Sequence, residues 1–307
     1  MCQPPHVIVS AARNFAIFSN EFIVVPPRQV GIVSPGNDLD LLIALSLYLS
    51  SDFAYYHQFF ASSESGIKRP RATLSALRRM PVPIESLRGE NGRRWVDLHR
   101  KLVKATVSRF RAGAATLFSD GVEAIADETV VQQLNELTYE TLGLTELERA
   151  LVRDLVQIRL ALDDGKLGRN AVEPPSGADL KRYAKQLKAE LDGFVEGEID
   201  LVHDVQVLTD NASGLVVIEP TKANGRPHAV RTYRLGDAEA AELTAIRKRL
   251  RRERSQWIYF DRNLRIFEEG RTFVLKPLQR VHWTVSQAVA DATEIIAGTL
   301  DSDGEEP

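Results

Sequence analysis

LLIALSLYLSSDFAYYHQFFASSESGIKRPRATLSALRRMPVP, residues 41–83, is the stretch on which the reading of the fold turns. Its first part is apolar nearly all round: Leu41, Leu42, Ala44, Leu45, Leu47, Tyr48 and Leu49 leave no polar face, so the spacing predicts a buried helix. Asn37 or Asp38 offers a side-chain acceptor to the free N–H groups of its first turn. The segment that follows carries Phe53, Tyr55, Tyr56, Phe59 and Phe60. These aromatics either pack between helix and sheet, or one or two of them stack on a nucleic-acid base. Residues 62–66 read as a polar loop that delivers Lys68, Arg69 and Arg71. Thr73 or Ser75 then begins a short helix, LSALRRM, which ends at Pro81 and Pro83.

Upstream, HVIVSAA (6–12) and NEFIVVPP (20–27) are short β-branched runs with NFAIFSN between them, and GIVSPGND (31–38) ends in a Pro-Gly turn. Together they read as a small β-meander limited by its prolines. Downstream the period changes to that of a helix. Trp95, Leu98, Leu102, Val103, Val107 and Phe110 form one stripe, while Arg93, Arg100, Lys104 and Arg111 fall on another. Residues 119–162 continue helical, with Gly143 as a C′ glycine and Thr145/Glu148 as a capping box. LGRNAVEPPSG (167–177) reads as a linker.

Beyond it, 178–195 is helical, and two strand-like runs meet at Asp210-Asn211-Ala212 in a hairpin. HAVRTYRLG (228–236) adds a strand, 239–255 a basic helix, and 257–279 a second hairpin turning at Glu269-Gly270. Residues 283–300 form a closing helix before an acidic tail read as disordered. The expected class is α+β. Residues 1–90 form a small β-meander with helices, 91–166 a helical segment, 178–300 an α+β domain with two hairpins, and 301–307 the tail.

The 307 residues are 44% hydrophobic and 26% charged, an ordinary globular composition, and the net charge of -3 argues against a generally basic nucleic-acid binder. Charge is nonetheless clustered: basic residues gather at 68–79, 93–111 and 247–254, and acidic ones at 119–148, at 190–204 and in the tail. Local basic patches bind phosphate on an acidic chain, or are solvated helix faces. Cys2 is the single cysteine, which excludes a disulfide framework and a cysteine zinc site and fits a reducing cytoplasm. No apolar run reaches the ~20 residues that span a bilayer. After MCQPP the chain opens directly into strand-like sequence, which suggests that a partner or an upstream segment supplies what precedes it.

Strong catalytic motifs are absent: there is no Walker loop, no G-x-G-x-x-G, and no metal spacing among the six histidines. Asp200 with Glu219 and Lys222 weakly resembles the carboxylates and lysine of a metal-dependent nuclease, but Glu-x-x-Lys puts the last two on opposite strand faces. Lys276, Arg280 and His282 form a candidate anion site at the mouth of the last helix, or a structural turn.

AIFSNEFIVV (16–25), LLIALSLYLSSDFAYYHQFF (41–60), RATLSALRRMPVP (71–83) and LNELTYETLGLTELERALV (134–152), in this order, carry a resemblance. The arrangement over residues 6–155 is similar to the target-recognition region of adenine-specific DNA methyltransferases, including type IIG restriction–modification enzymes and type I specificity subunits. In that family a sheet precedes an L-x-x-L-x-S helix, and a Tyr-x-x-x-Gly-Leu-Thr-x-x-Glu phrase follows. The chain departs from the family's catalytic pattern. It has no Gly-rich cofactor loop and no Asn/Asp-Pro-Pro-aromatic motif; its three Pro pairs are followed by His6, Arg28 and Ser176.

The resemblance therefore implies a DNA-binding recognition part without its own methyl transfer, acting in the cytoplasm. No cofactor is expected in this chain, and S-adenosylmethionine belongs on a catalytic partner or an upstream domain. The implied partners are double-stranded DNA and a methyltransferase subunit, with no membrane. The candidate DNA-binding residues are Lys68, Arg69, Arg71, Arg78 and Arg79, placed to read guanine or clamp phosphate, and Arg93, Arg100, Lys104 and Arg111, placed to follow the backbone. The alternatives are a protein-interaction scaffold and the nuclease.

Overall fold

The computed structural model describes residues 3–10, 16–25, 29–62, 73–113, 128–163, 168–196, 200–222, 230–234, 263–268 and 270–303. The chain is α+β and divides into two compact units, Met1–Val156 and Gln157–Pro307.

The first unit holds a three-stranded antiparallel sheet of β1 (His6–Ser10), β2 (Ala16–Ser19) and β3 (Gln29–Ile32). The strand order is β2-β1-β3, so β1 is central and the sheet is not a sequential meander. β1 is buried along its whole length, and its central Val7, Ile8 and Val9 are apolar, as suits a strand covered on both faces. The second strand is AIFS, inside the run expected to be a connection, whereas Phe22 and Val24 of the expected strand are 57% and 69% exposed. Ala16 and Phe18 pack on the core while Ile17 faces out, a period of two that four residues suffice to define. The rejected run ends in Pro26-Pro27, which have no N–H to give a ladder.

Around this sheet lie α1 (Leu39–Tyr48), α2 (Asp52–Ala61), α3 (Leu74–Arg78), α4 (Gly89–Gly113), α5 (Glu128–Leu142) and α6 (Glu146–Arg153). Asp38 caps α1, its carboxylate accepting the Leu41 N–H at 3.0 Å; Ser51 caps α2 and Thr73 caps α3. Gly143 takes φ +66°, and the capping box of Thr145 and Glu148 opens α6. One core joins Val7 and Val9 of β1, Leu42 and Tyr48 of α1, and Trp95 and Leu98 of α4. The boundary expected at residue 90 therefore falls inside this unit. Val103, read as part of the apolar stripe, is 48% exposed. Of the aromatics on α2, Phe53 packs on the core and Phe60 is 65% exposed.

The second unit comprises α7 (Gly168–Val172), α8 (Gly177–Val195), β4 (Leu201–Thr209), β5 (Ser213–Lys222), β6 (Arg231–Arg234), β7 (Leu264–Glu268), β8 (Arg271–Pro277) and α9 (Val285–Asp303). The expected linker is no open tether. Its described part, 168–177, buries Ala171 in α7, and the Glu173 carbonyl accepts the Arg280 N–H at 2.9 Å. α9 runs through Asp303, into the stretch expected as a disordered tail. The five-stranded sheet has the order β6-β4-β5-β8-β7, antiparallel except for β4 with β6. Both expected hairpins form. Asp210 Oδ1 accepts the N–H groups of Ala212 and Ser213, each at 2.6 Å, and Gly270 supplies φ +73° at the other turn. α8 and α9 pack on one sheet face, burying Tyr183, Leu187, Val205, Val216, Trp283 and Ala292. Leu208, Leu215, Phe273 and Leu275 are buried on the other.

Gly214 of β5 sits beneath Trp283. A Cβ there meets Cζ2 of the indole at 2.2 Å, and the indole cannot swing freely because its N–H donates to the Pro277 carbonyl at 2.9 Å. Gly→Ala in a strand normally stabilises; here Gly214→Ala is expected to destabilise by about 1–3 kcal/mol through overpacking, read as a lowered urea midpoint.

Candidate functional site

The candidate nucleic-acid residues divide by location. Lys68, Arg69 and Arg71, like the basic run at 247–254, lie outside the described residues, as does the side chain of Arg111. Arg78 and Arg79 close α3, and both are exposed. Arg79 is committed to the protein: its guanidinium donates to the carbonyls of Ala61 at 3.0 Å and Ser75 at 3.4 Å. It thereby ties the end of α2 to α3 and is not free to read a base. Arg78 makes no ion pair with the described residues and keeps its donors for a ligand. Burial, together with the Arg79 charge, holds His57 below the ordinary histidine value, so it adds no positive charge here near neutral pH.

On α4 the structure brings Arg93, Arg100 and Lys104 together. At about 100° per residue they lie within roughly 40° of arc, on the side opposite the buried Trp95 and Leu98. All three are exposed. From Arg93 to Lys104 the stripe runs about 16 Å, at about 1.5 Å per residue. Arg93 makes no ion pair with the described residues, whereas Arg100 sits 2.9 Å from Asp97. That pair is 74% and 64% exposed, so it contributes little and a phosphate can displace the carboxylate. Two neighbours escaped the sequence reading. Lys101 is exposed beside the stripe, and Asp97 interrupts it; both follow from the same helical period once the acidic residues are plotted with the basic ones.

The nuclease arrangement does not assemble. The register sets Asp204 opposite Glu219 and Leu201 opposite Lys222, and Asp200 precedes the strand. Asp200 is thus about four strand steps, roughly 13 Å, from Glu219. Among the described residues no three His, Cys, Asp or Glu side chains gather as metal ligands.

The expected anion cluster dissolves in the same way. Arg280 pairs with Asp179 at 3.5 Å and donates to Asn170 Oδ1, while Lys276 points into the core. Its Nζ is 2.5 Å from Oδ2 of Asp291, and the two side chains are 1% and 0% exposed. Tyr183 OH donates to the same oxygen at 2.6 Å; Asn263 and Gln287 donate to the other at 2.7 and 2.8 Å. The Tyr183 and Trp283 rings flank the ammonium at 3.8 and 4.7 Å. Burial pulls the Lys276 ammonium down to about 8, with the Asp291 charge opposing. Every donor and acceptor in this network faces inward, so it organises the core and offers nothing to an anion. The signal for it in the sequence is Asp291 itself, an acid within the apolar stripe of Ala288, Ala292 and Ile295.

No helix among the described residues is long and apolar enough to cross a membrane. No family model matches the chain, no curated protein matches it, and no solved structure matches it.

Proposed function

We propose that this chain is the DNA-binding, target-recognition part of an adenine-specific DNA methyltransferase within a cytoplasmic restriction–modification system. Methyl transfer and S-adenosylmethionine belong to a separate catalytic subunit or domain. The observation that carries this reading is the exposed face of α4, where Arg93, Arg100 and Lys104 line up opposite the core. A straight cationic stripe of this length matches the phosphates of about five base pairs, at about 3.4 Å of axis per pair on one strand. In this role the stripe holds the duplex without reading it, and Arg78 supplies the base contact. The order of elements that resembles the recognition region lies in the same unit.

Four large apolar side chains in a single short stretch, Ile17, Phe22, Val24 and Val33, are each more than half exposed. They favour a protein partner. This supports the interaction-scaffold reading, and within the first reading it suits the docking of a catalytic subunit.

Fluorescence anisotropy with random duplex DNA over a salt series, with and without the product of the neighbouring gene, tests the DNA reading. Binding is expected to fall with salt, and Arg93→Gln to flatten log K against log salt by ~0.9, evenly across sequences. A chain that binds no duplex with or without that partner leaves only the scaffold reading. An unchanged slope in the variant removes α4 from the interface.

A further inference from the structure

The second unit carries a cavity that the DNA reading of the first unit does not use. Where α8 and α9 reach their last turns, helices and sheet part around a volume of about 460 Å³. Leu191, Phe194, Ile218, Phe267 and Ile296 form much of its wall, and Phe194 and Phe267 are 52% and 51% exposed. The volume falls within the ~300–1,000 Å³ of small-molecule sites, which pair an apolar wall with a few fixed polar groups.

The polar groups on this wall differ in what they have left to offer. The Thr299 hydroxyl donates to the Ile295 carbonyl at 3.0 Å, within its own helix. The Arg271 guanidinium lies over the Phe273 ring, 5.7 Å from its centroid, and Phe273 belongs to the core on the opposite sheet face. His203 is different. Asp192 Oδ1 accepts the His203 backbone N–H at 2.8 Å and lies 3.1 Å from Nδ1 of the ring. Lys188 closes the frame, donating to Asp192 Oδ2 at 2.6 Å and to the His203 carbonyl at 2.8 Å. The imidazole is therefore held by one edge. In the neutral ring whose Nδ1–H is given to the carboxylate, Nε2 is the acceptor. Nε2 has no partner among the described residues. If the frame served only to tie β4 to α8, the backbone amide, carbonyl and Lys188 would complete it. The ring adds an oriented acceptor at the cavity wall.

We infer that this cavity binds a small apolar molecule bearing one hydroxyl that donates to Nε2 of His203. The body replaces water against Phe194, Phe267 and Ile296. The single oriented acceptor selects a donor-bearing ligand over one that cannot donate. The site is one of binding: the hydroxyls on the wall are those of Thr272 and Thr299, and it holds no Ser, Cys or Lys among the described residues.

2-Naphthol and its methyl ether, which keeps the rings and loses the donor, test this with the full chain by calorimetry or ligand-detected NMR. Saturable binding of 2-naphthol is expected, about tenfold tighter than the ether, the difference one hydrogen bond supports. His203→Phe is expected to keep ether binding and erase the tenfold preference. Ile296→Trp, which narrows the cavity from its wall, is expected to weaken binding of both. No saturable binding of 2-naphthol to the wild type overturns the inference. So do equal affinities for the two probes in the wild type, a preference that survives His203→Phe, or affinities for both probes that Ile296→Trp leaves unchanged.

Discussion

Asp291→Leu in the full chain is expected to lower the stability of the second unit by about 3–5 kcal/mol, the cost of removing one partner from a fully buried ion pair. Leucine fills the space of the carboxylate, so little of the loss comes from a cavity. The loss comes from Lys276, which is 1% exposed and left without an anion, and from Tyr183, Asn263 and Gln287, which lose their acceptor. Burial disfavours the Lys276 ammonium even with Asp291 in place, so removing the carboxylate adds to that cost. The double variant Lys276→Met/Asp291→Leu removes both charges and is therefore expected to regain about half of the loss. Urea unfolding by far-UV circular dichroism gives the overall loss. Amide exchange in β5 and β8 confines it to the second unit, because Lys276 lies on β8 and pairs with β5. An Asp291→Leu chain within about 1 kcal/mol of wild type would mean that the ammonium reaches water, contrary to its 1% exposure.

Such a network is difficult to see in a sequence. Lys276 and Asp291 are fifteen residues apart, on β8 and α9, and the residues that enclose them come from α8 and from the approach to β7. Capping and turn rules act within four residues, and those features were legible. Asp38 before α1, Thr145 with Glu148, and the turns at Asp210 and Gly270 all form where local chemistry puts them. The cationic face of α4 was legible for the same reason, since helical period alone brings residues 93, 100 and 104 to one side. What a charge does on reaching that surface is a tertiary matter. Arg79 reads like Arg78 in the sequence, yet folds back onto the carbonyl that ends α2. Strand choice failed likewise. NEFIVV has the stronger β-branched composition, but AIFS pairs with β1, because a central strand selects the neighbour whose Ala16 and Phe18 complete the core.

Raising the pH from about 8 to about 10 is expected to strengthen the second unit. A lysine in the unfolded chain titrates near 10.4, whereas burial holds Lys276 at about 8 in the fold. Between those values the unfolded chain binds more protons, so unfolding becomes harder as protons are withdrawn. Below about 8 both states are protonated and the contribution is flat. Across the window it amounts to at most about 3 kcal/mol, at 1.36 kcal/mol per pH unit of separation. Above about 10 the sign reverses through Tyr183, whose phenol is driven well above the ordinary range by burial and by the Asp291 charge beside it. An unfolded tyrosine then ionises while the buried one keeps its proton, and stability falls. The urea midpoint of the second unit is thus expected to peak near pH 10. In Lys276→Met the rise should vanish and the fall remain, since Tyr183 is untouched. A midpoint that declines steadily from pH 8 in the wild type would mean that the Asp291 charge outweighs burial and holds the Lys276 proton more tightly in the fold than in the unfolded chain.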